Sequence, residues 1–409
     1  MTLRIRHLAQ VNASTPGFDA LPPTAELTFM PLETVWADQR LDTSRVALKA
    51  DVSSGYVRFQ DGDVLVPKTA PTFQHARPVV VNGLRNGIGA GSSELHTLRP
   101  KAGTDARFLA YVARSSAFIA EGVTAYQGVA GLQRVPADFV ADWPVMPVDQ
   151  EEQRRIADFL DDQVARLRRA IELRQESIAL TQAKNWSTWL NQIAHAGAPS
   201  VPLRRVFTEL ADGPFGSAFT SADYSDTGAR VIRLGNIGFA EYRSNDEAFI
   251  PLEIWSVFPR CHIRRGDLLI AGLGDERNHA GRACVAPNLA PALVKGKCFR
   301  GRVHEQRADP HYLALTLSSP LGADLLAVET RGSTRGMINL EIIRSVALPL
   351  PPIDTQRRMV HSFTTVRGEI ARLGQLEERS RFLLEERMQA LITAAVTGLL
   401  DVTTARAVA

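Results

Sequence analysis

Two sets of polar and basic side chains gather around glycine-bearing turns, and their types suit hydrogen bonding to a polyanion better than bond-making. The first is Lys68, Arg77, Asn82, Arg85, Asn86 and Ser92, with Tyr126, Gln127 and Gln133 flanking Gly128. The second is Arg233, Asn236, Arg277, Asn278, His279, Lys295 and Lys297, with the run Arg331-Gly332-Ser333-Thr334-Arg335. An arginine fork matches guanine, Asn and Gln match adenine, and lysine more often holds phosphate. Plain solvated surface competes with this reading at any single position, so the clusters are more informative than their members.

No catalytic constellation accompanies them. The chain has no GxxxxGK[ST] phosphate loop, and Gly89-Ala90-Gly91 and Gly272-Leu273-Gly274 lack the strand, helix and downstream acid of a dinucleotide fingerprint. The Asp/Asn-Pro-Pro-aromatic motif that amino-methyltransferases place around a target amine is missing. Cys261, Cys284 and Cys298 have the wrong spacing for a structural zinc site. Asp161-Asp162 and Glu385-Glu386 fall on helical stretches and read as solvated faces. The expectation is a binder, with no catalytic residue, no metal and no cofactor of its own.

The elements that must position these side chains occur twice. Trp143-Pro144-Val145-Met146-Pro147 leads to Gln153-Arg154-Arg155-Ile156, and Leu348-Pro349-Leu350-Pro351-Pro352 leads to Gln356-Arg357-Arg358-Met359. Gly62-Asp63-Val64-Leu65 answers Gly266-Asp267-Leu268-Leu269, and Phe108-Leu109-Ala110-Tyr111 answers Tyr312-Leu313-Ala314-Leu315. A period near 200 residues is a duplication of domains rather than a short-repeat array. Residues 1–148 and 201–352 read as mixed α+β globules, because short β-prone runs alternate with turns and one helical stretch. Residues 149–196 and 353–400 read as two long helices.

Asp149 begins the first of these helices with capping-box spacing to Glu152, and Gly197 and Pro199 end it. Leu160, Val164, Leu167 and Ile171 form a narrow stripe answered by Phe363, Val366, Ile370 and Leu373, as a coiled-coil seam would. The short link 196–200 lets the second helix pack on the first only by running back, so the pair is expected antiparallel. At ~1.5 Å per residue each helix spans roughly 65 Å. Gly368 and Gly374 are expected to admit close approach of the first helix.

Bulk numbers restrict the classes. The 409 residues carry a net charge of +3, with 14 basic and 14 acidic side chains in 1–150 and 18 and 16 in 201–352. The basic excess usual in nucleic-acid binders is missing, so local patches or a partner must supply it. The chain shows no stretch of ~18 apolar residues and no apolar leader, and three scattered cysteines fit a reducing cytoplasm.

The chain resembles the specificity subunits of type I restriction-modification systems over nearly its whole length. The residues that carry this are Asp212-Gly213-Pro214-Phe215-Gly216-Ser217, Arg230-Val231-Ile232-Arg233-Leu234-Gly235-Asn236-Ile237 and Gly266-Asp267-Leu268-Leu269, with Arg331-Gly332-Ser333-Thr334-Arg335-Gly336-Met337-Ile338-Asn339 before the proline-rich exit. The resemblance adds Gly213, Phe215 and Ser217 to the candidate DNA contacts. It implies two target-recognition domains that each read half of a split double-stranded DNA site, with the helices as ruler and docking surface for two modification subunits. Those partners would bind S-adenosylmethionine and methylate adenine, and motor-nuclease subunits, where present, would use ATP and Mg. A coiled-coil scaffold for two protein ligands, or a degenerate enzyme acting on DNA, are the alternatives.

If the helices are a ruler, one helical turn inserted or deleted within 160–190 changes the tolerated half-site spacing and leaves both half-site sequences intact. Methylation mapping of such variants checks this, and an unaltered spacing counts against the ruler.

Overall fold

The computed structural model describes residues 3–34, 41–75, 77–129, 133–214, 220–329 and 337–403. The chain divides into two compact units, Met1–Gln175 with Leu376–Ala409, and Glu176–Gln375. Among the described residues no helix is long and apolar enough to cross a membrane.

Unit 1 contains strands β1 (Ala9–Val11), β2 (Glu26–Met30), β3 (Val46–Leu48), β4 (Val57–Gln60), β5 (Val64–Pro67), β6 (Val79–Val80), β7 (Ile88–Gly91) and β8 (Leu95–Pro100). They form an antiparallel sheet in the order β1-β8-β5-β6 and a mixed sheet β3-β2-β7-β4, in which β2 and β7 are parallel. Helices α1 (Ala106–Arg114) and α2 (Ser116–Thr124) follow, and then the long α3 (Gln150–His195).

In unit 2 the strands are β9 (Ser200–Pro202), β10 (Phe207–Asp212), β11 (Ala229–Ile232), β12 (Phe249–Ile250), β13 (Leu268–Ala271), β14 (Ala283–Val285), β15 (Ala292–Val294), β16 (Cys298–Val303) and β17 (Ala347–Pro349). The order β10-β16-β13-β14 repeats the antiparallel sheet of unit 1, and the parallel pair β11/β15 repeats β2/β7. Helices α4 (Pro310–Ser318) and α5 (Pro320–Glu329) precede the long α6 (Ile353–Val396). The fold is the expected mixed α+β repeat with two long helices.

The recurring Gly-Asp pair has a mechanical purpose. Gly62 and Gly266 turn the chain at φ +85° and +89°, where a side chain would be strained. Each following aspartate is buried and gripped by an arginine from the neighbouring strand. Arg99 reaches Asp63 at 2.9 and 2.8 Å, and Arg302 reaches Asp267 at 3.0 Å. The same carboxylates accept the backbone N–H of Gln60 and Arg264, at 2.9 and 2.8 Å. A buried charge so enclosed fixes the turn.

The two glutamines that open the long helices are also buried, at 1% and 0% exposure. Gln153 Oε1 accepts the N–H of Asp105, which caps α1, at 2.9 Å, and its amide donates to the Val148 carbonyl at 3.2 Å. Gln356 Oε1 accepts the N–H of Asp309, the cap of α4, at 2.9 Å. Its amide donates to the carbonyls of Arg307 and Pro351 at 3.0 and 2.7 Å.

Within each unit the long helices pair antiparallel. In unit 1, Ile156, Leu160 and Val164 share a core with Ile392, Ala395 and Val396. In unit 2, Trp189 and Ile193 pack with Met359 and Phe363, and the Trp189 ring lies 5.4 Å from Tyr312 and 5.5 Å from Phe363. Leu160, Val164, Phe363 and Ile370 are buried, and Leu167, Ile171 and Val366 are half-buried. Leu373 departs from the expected stripe at 51% exposure. Gly368 and Gly374 also depart from expectation, since a Cβ on either would meet nothing within 4 Å. These glycines face open space and admit no close helix contact.

Replacing Gln356 with leucine strands one buried N–H and two carbonyls and should destabilise unit 2 by about 3 kcal/mol. Gln153→Leu strands one of each and should cost unit 1 about 2 kcal/mol. Urea unfolding read by tryptophan fluorescence tests both, and unchanged midpoints would remove the glutamines from the account.

Candidate nucleic-acid interface

One backbone junction occurs in both units where the central strand leaves its sheet. In unit 1, Lys68 N–H donates to the Glu94 carbonyl at 3.0 Å, and Val135 N–H donates to the Lys68 carbonyl at 2.8 Å. In unit 2, Gly272 N–H donates to the Lys297 carbonyl at 2.7 Å, and Ile338 N–H donates to the Gly272 carbonyl at 3.0 Å. Bridges Thr69↔Arg134 and Leu273↔Met337 close the two junctions. The backbone is shared, but Lys68, Glu94 and Arg134 stand where unit 2 has Gly272, Lys297 and Met337.

At the unit 1 junction Arg134 forks onto Glu94 with two contacts of 2.7 Å, which holds the Glu94 carboxyl below its ordinary value. Burial lowers the half-buried Lys68 ammonium, and Glu94 partly opposes it. Gln127 pairs with Arg134 through the backbone, and the Gln133 carbonyl accepts Ala70 N–H at 3.3 Å, which leaves both side chains exposed at the junction. Tyr126 packs edge-on against Phe73, and burial raises its phenol. Arg77 approaches the same end, two residues before β6, and is half-buried.

Asn82, Arg85 and Asn86 do not join this group. They lie near the opposite end of β5, where Leu84 N–H donates to Asp61 at 2.9 Å. The four residues of β5, roughly 13 Å of extended chain, separate that turn from Lys68. Arg85 pairs with Glu26 at 2.6 Å, and the Asn86 amide donates to the Glu26 carbonyl at 2.9 Å, so both side chains are engaged at the second sheet. They gather at the Gly62 turn as one group apart from Lys68, because the β5–β6 register puts β5 between them. Ser92 is half-buried, and its hydroxyl accepts Glu94 N–H at 3.1 Å.

Unit 2 brings its candidates to one end. Lys295 N–H donates to the Ile232 carbonyl, setting Lys295 beside Arg233 where the parallel strands β11 and β15 finish. Tyr224, which carries no obvious signal in the sequence, lies between them. Its hydroxyl is 3.1 Å from Lys295 Nζ, and its ring centroid is 5.8 Å from the Arg233 guanidinium. Arg233 also pairs with Asp246. Lys297 reaches Met337 Sδ at 2.7 Å, beside the junction. Arg277 and Asn278 are held by Asp275, whose carboxylate accepts both N–H groups at 2.8 Å and is kept below its ordinary value by them. His279 is half-buried against Phe239.

Two expected contacts are instead internal. Asn236 is 0% exposed. Its amide donates to the carbonyls of Arg243 and Asp246 at 2.9 and 3.1 Å, and its oxygen accepts Arg233 N–H at 2.9 Å. It latches the loop rather than presenting an edge to a ligand. Gly213 is buried, and a Cβ there would lie 2.5 Å from the Lys295 backbone, so its role is close chain approach. Phe215, Ser217, Arg331, Ser333, Thr334 and Arg335 lie outside the described residues.

The glycine pairs noted in the sequence are packing devices. A Cβ on Gly89 would strike the Phe59 ring at 2.1 Å, and one on Gly272 the Phe299 ring at 2.5 Å. Cys261, Cys284 and Cys298 are free and buried, and burial raises the Cys284 and Cys298 thiols to about 12. Among the described residues no group of three His, Cys, Asp or Glu side chains could hold a metal ion.

No protein-family model matches the chain. It is 21% identical over 453 aligned residues to the specificity subunit of the type I restriction enzyme EcoEI of Escherichia coli, covering 86% of this chain and 75% of that protein. It is 31% identical over 160 residues to the EcoAI specificity subunit of the same organism, covering 38% of this chain and 26% of that one. A solved chain from work on complex assembly and conformational transition of the type I R-M system superposes with a TM-score of 0.73, at 18% identity, covering 98% of each chain. The HsdS subunit of Thermoanaerobacter tengcongensis gives 0.54, also at 18% identity, over 98% of this chain and 97% of that one. The structural likenesses establish the fold.

A buried histidine lies under the unit 1 junction. Asn12, oriented by Thr97 N–H, donates to His96 Nδ1 at 3.2 Å, so Nε2 carries the proton and donates to the Val135 carbonyl at 2.8 Å. Burial pulls this imidazole below its ordinary value of 6.5. The unfolded chain therefore takes up a proton first as pH falls. The stability from neutral His96 is present above pH 6.5 and is lost as pH drops toward the folded value. His96→Gln, which keeps a donor toward Val135, should flatten the loss of stability between about pH 7 and 5. Parallel unfolding curves for the two proteins would exclude His96 as the titrating group.

Proposed function

We propose, from the premise that the chain is a type I restriction-modification specificity subunit, that each unit reads one half of a split, asymmetric DNA site through the loops at its strand junction. The observation that carries this is the shared junction with unlike side chains. Equal backbones would present equal geometry to a duplex, and the unlike side chains on the loops around them, Gln127 and Gln133 in one unit and Arg277 and Asn278 in the other, would meet different bases. The relatives favour this role over a scaffold without DNA recognition.

The chain's part is targeting rather than catalysis. Two modification subunits would dock on the helices, bind S-adenosylmethionine and methylate adenine in each half-site. Motor-nuclease subunits, where the system includes them, would use ATP and Mg to translocate and cleave. Free, buried thiols are compatible with work in a reducing cytoplasm.

Co-expression with the neighbouring modification subunit, followed by genome-wide mapping of methylated adenine, should give a single bipartite motif that depends on this chain. A stable complex that methylates without a shared motif, or not at all, would overturn the proposal in favour of a scaffold.

A further inference from the structure

We infer that Arg282 is a positioning residue that sets the shape of the unit 2 reading loops, and so which half-site that unit accepts, without itself touching DNA. This rests on the DNA-reading role proposed above. Arg282 stands immediately before β14 and is 4% exposed. Its Nε donates to the carbonyl of Ile237 at 2.8 Å, Nη1 to those of Leu273 and His279 at 3.2 and 3.1 Å, and Nη2 to that of Leu234 at 3.1 Å. These carbonyls belong to three stretches of chain. The first follows Arg233, the second leaves the Gly272 junction, and the third adjoins Arg277 and Asn278.

Among the described residues these four backbone oxygens are the hydrogen-bond partners of the Arg282 side chain. A buried guanidinium ordinarily leans on a carboxylate, and leaving one unsatisfied is costly. Here the converging loops supply every hydrogen bond of the fork, and the Asp275 carboxylate on one of them adds attraction, so loop geometry and buried charge stabilise each other. Other contacts hold the same loop in one shape. A Cβ on Gly274 would lie 2.7 Å from Ala280 N, and Asp275 N–H donates to the Asn278 carbonyl at 2.8 Å. Lysine could not replace the fork, because its ammonium is a single point of donation.

The position recurs. Val64 pairs with Val80 in unit 1 and Leu268 with Val285 in unit 2, so the residue three before each partner is Arg77 in one unit and Arg282 in the other. Both halves carry an arginine at this register, buried in unit 2 and half-buried in unit 1.

The test uses the complex of the full chain with its modification subunit, and duplexes that carry one base-pair change in either half-site. In Arg282→Lys and Arg282→Gln, discrimination at one half-site should fall about tenfold or more, while the other stays within about twofold of wild type. A folded variant that keeps both discriminations, or loses both in step, overturns the inference. Hydrogen exchange on the unaltered complex covers variants that fail to fold. Amides of 234–238 and 273–281 should be protected before DNA is added, and protection that arises only with cognate DNA also overturns it. If the unaltered complex has no bipartite site, the proposed function fails instead.

Discussion

Everything else in each unit hangs on an amide buried where a long helix begins. Gln153 and Gln356 do not merely start a helix. Each inserts its oxygen into the N-terminus of the short helix beside it, where backbone N–H groups lack partners in their own turn. Because the amide satisfies both a donor and an acceptor, a slide or rotation of the long helix would strand buried polar groups on both sides. Apolar packing of Leu160 or Phe363 resists separation but tolerates small shifts. The amide clasp supplies the direction that the apolar stripe cannot.

A second restraint acts on the sheets. Arg99 on Asp63 and Arg302 on Asp267 tie the turn before the central strand to the strand beside it. With helix and turn both fixed, the strand's far end emerges at the same place in each unit, and the paired junctions follow. The side chains at the junctions differ between the units, while the framework behind them repeats.

The repeat was legible because its framework residues recur at matching positions. Gln-Arg-Arg after a proline-rich exit and Gly-Asp before a hydrophobic pair are seen in both halves of the sequence. The loops were less legible, for a physical reason. Asn236 and Arg282 are polar and sit near glycines, like residues that meet a ligand, yet each spends its side-chain hydrogen bonds on backbone groups. Residue type alone does not tell a latch from a contact. Glycine-bearing turns put Asn82, Arg85 and Asn86 in one set with Lys68, whereas strand register places them at the other end of β5. Gly368 and Gly374 show the converse error, since glycine in a helix suggests close approach and here meets open space.

The near-neutral net charge is no argument against the proposed polyanion ligand. A large share of its arginines is used internally. Arg99, Arg300 and Arg302 are bound to carboxylates, and Arg282 is bound to carbonyls. Acidic side chains are consumed in the same pairs, so the net count says little about the surface at the junctions. What matters there is the local set, in which Lys295, Lys297, Arg233 and Arg277 gather at one end of unit 2, with Asp246 and Asp275 engaged beside them. With only a small set of cations at the unit 2 end, sequence-independent phosphate attraction there would be weak. Selectivity would then depend more heavily on base contacts, and base contacts demand loops held in one shape. On the inference drawn above, Arg282 would serve recognition from behind the loops, where an exposed cation would serve it from in front.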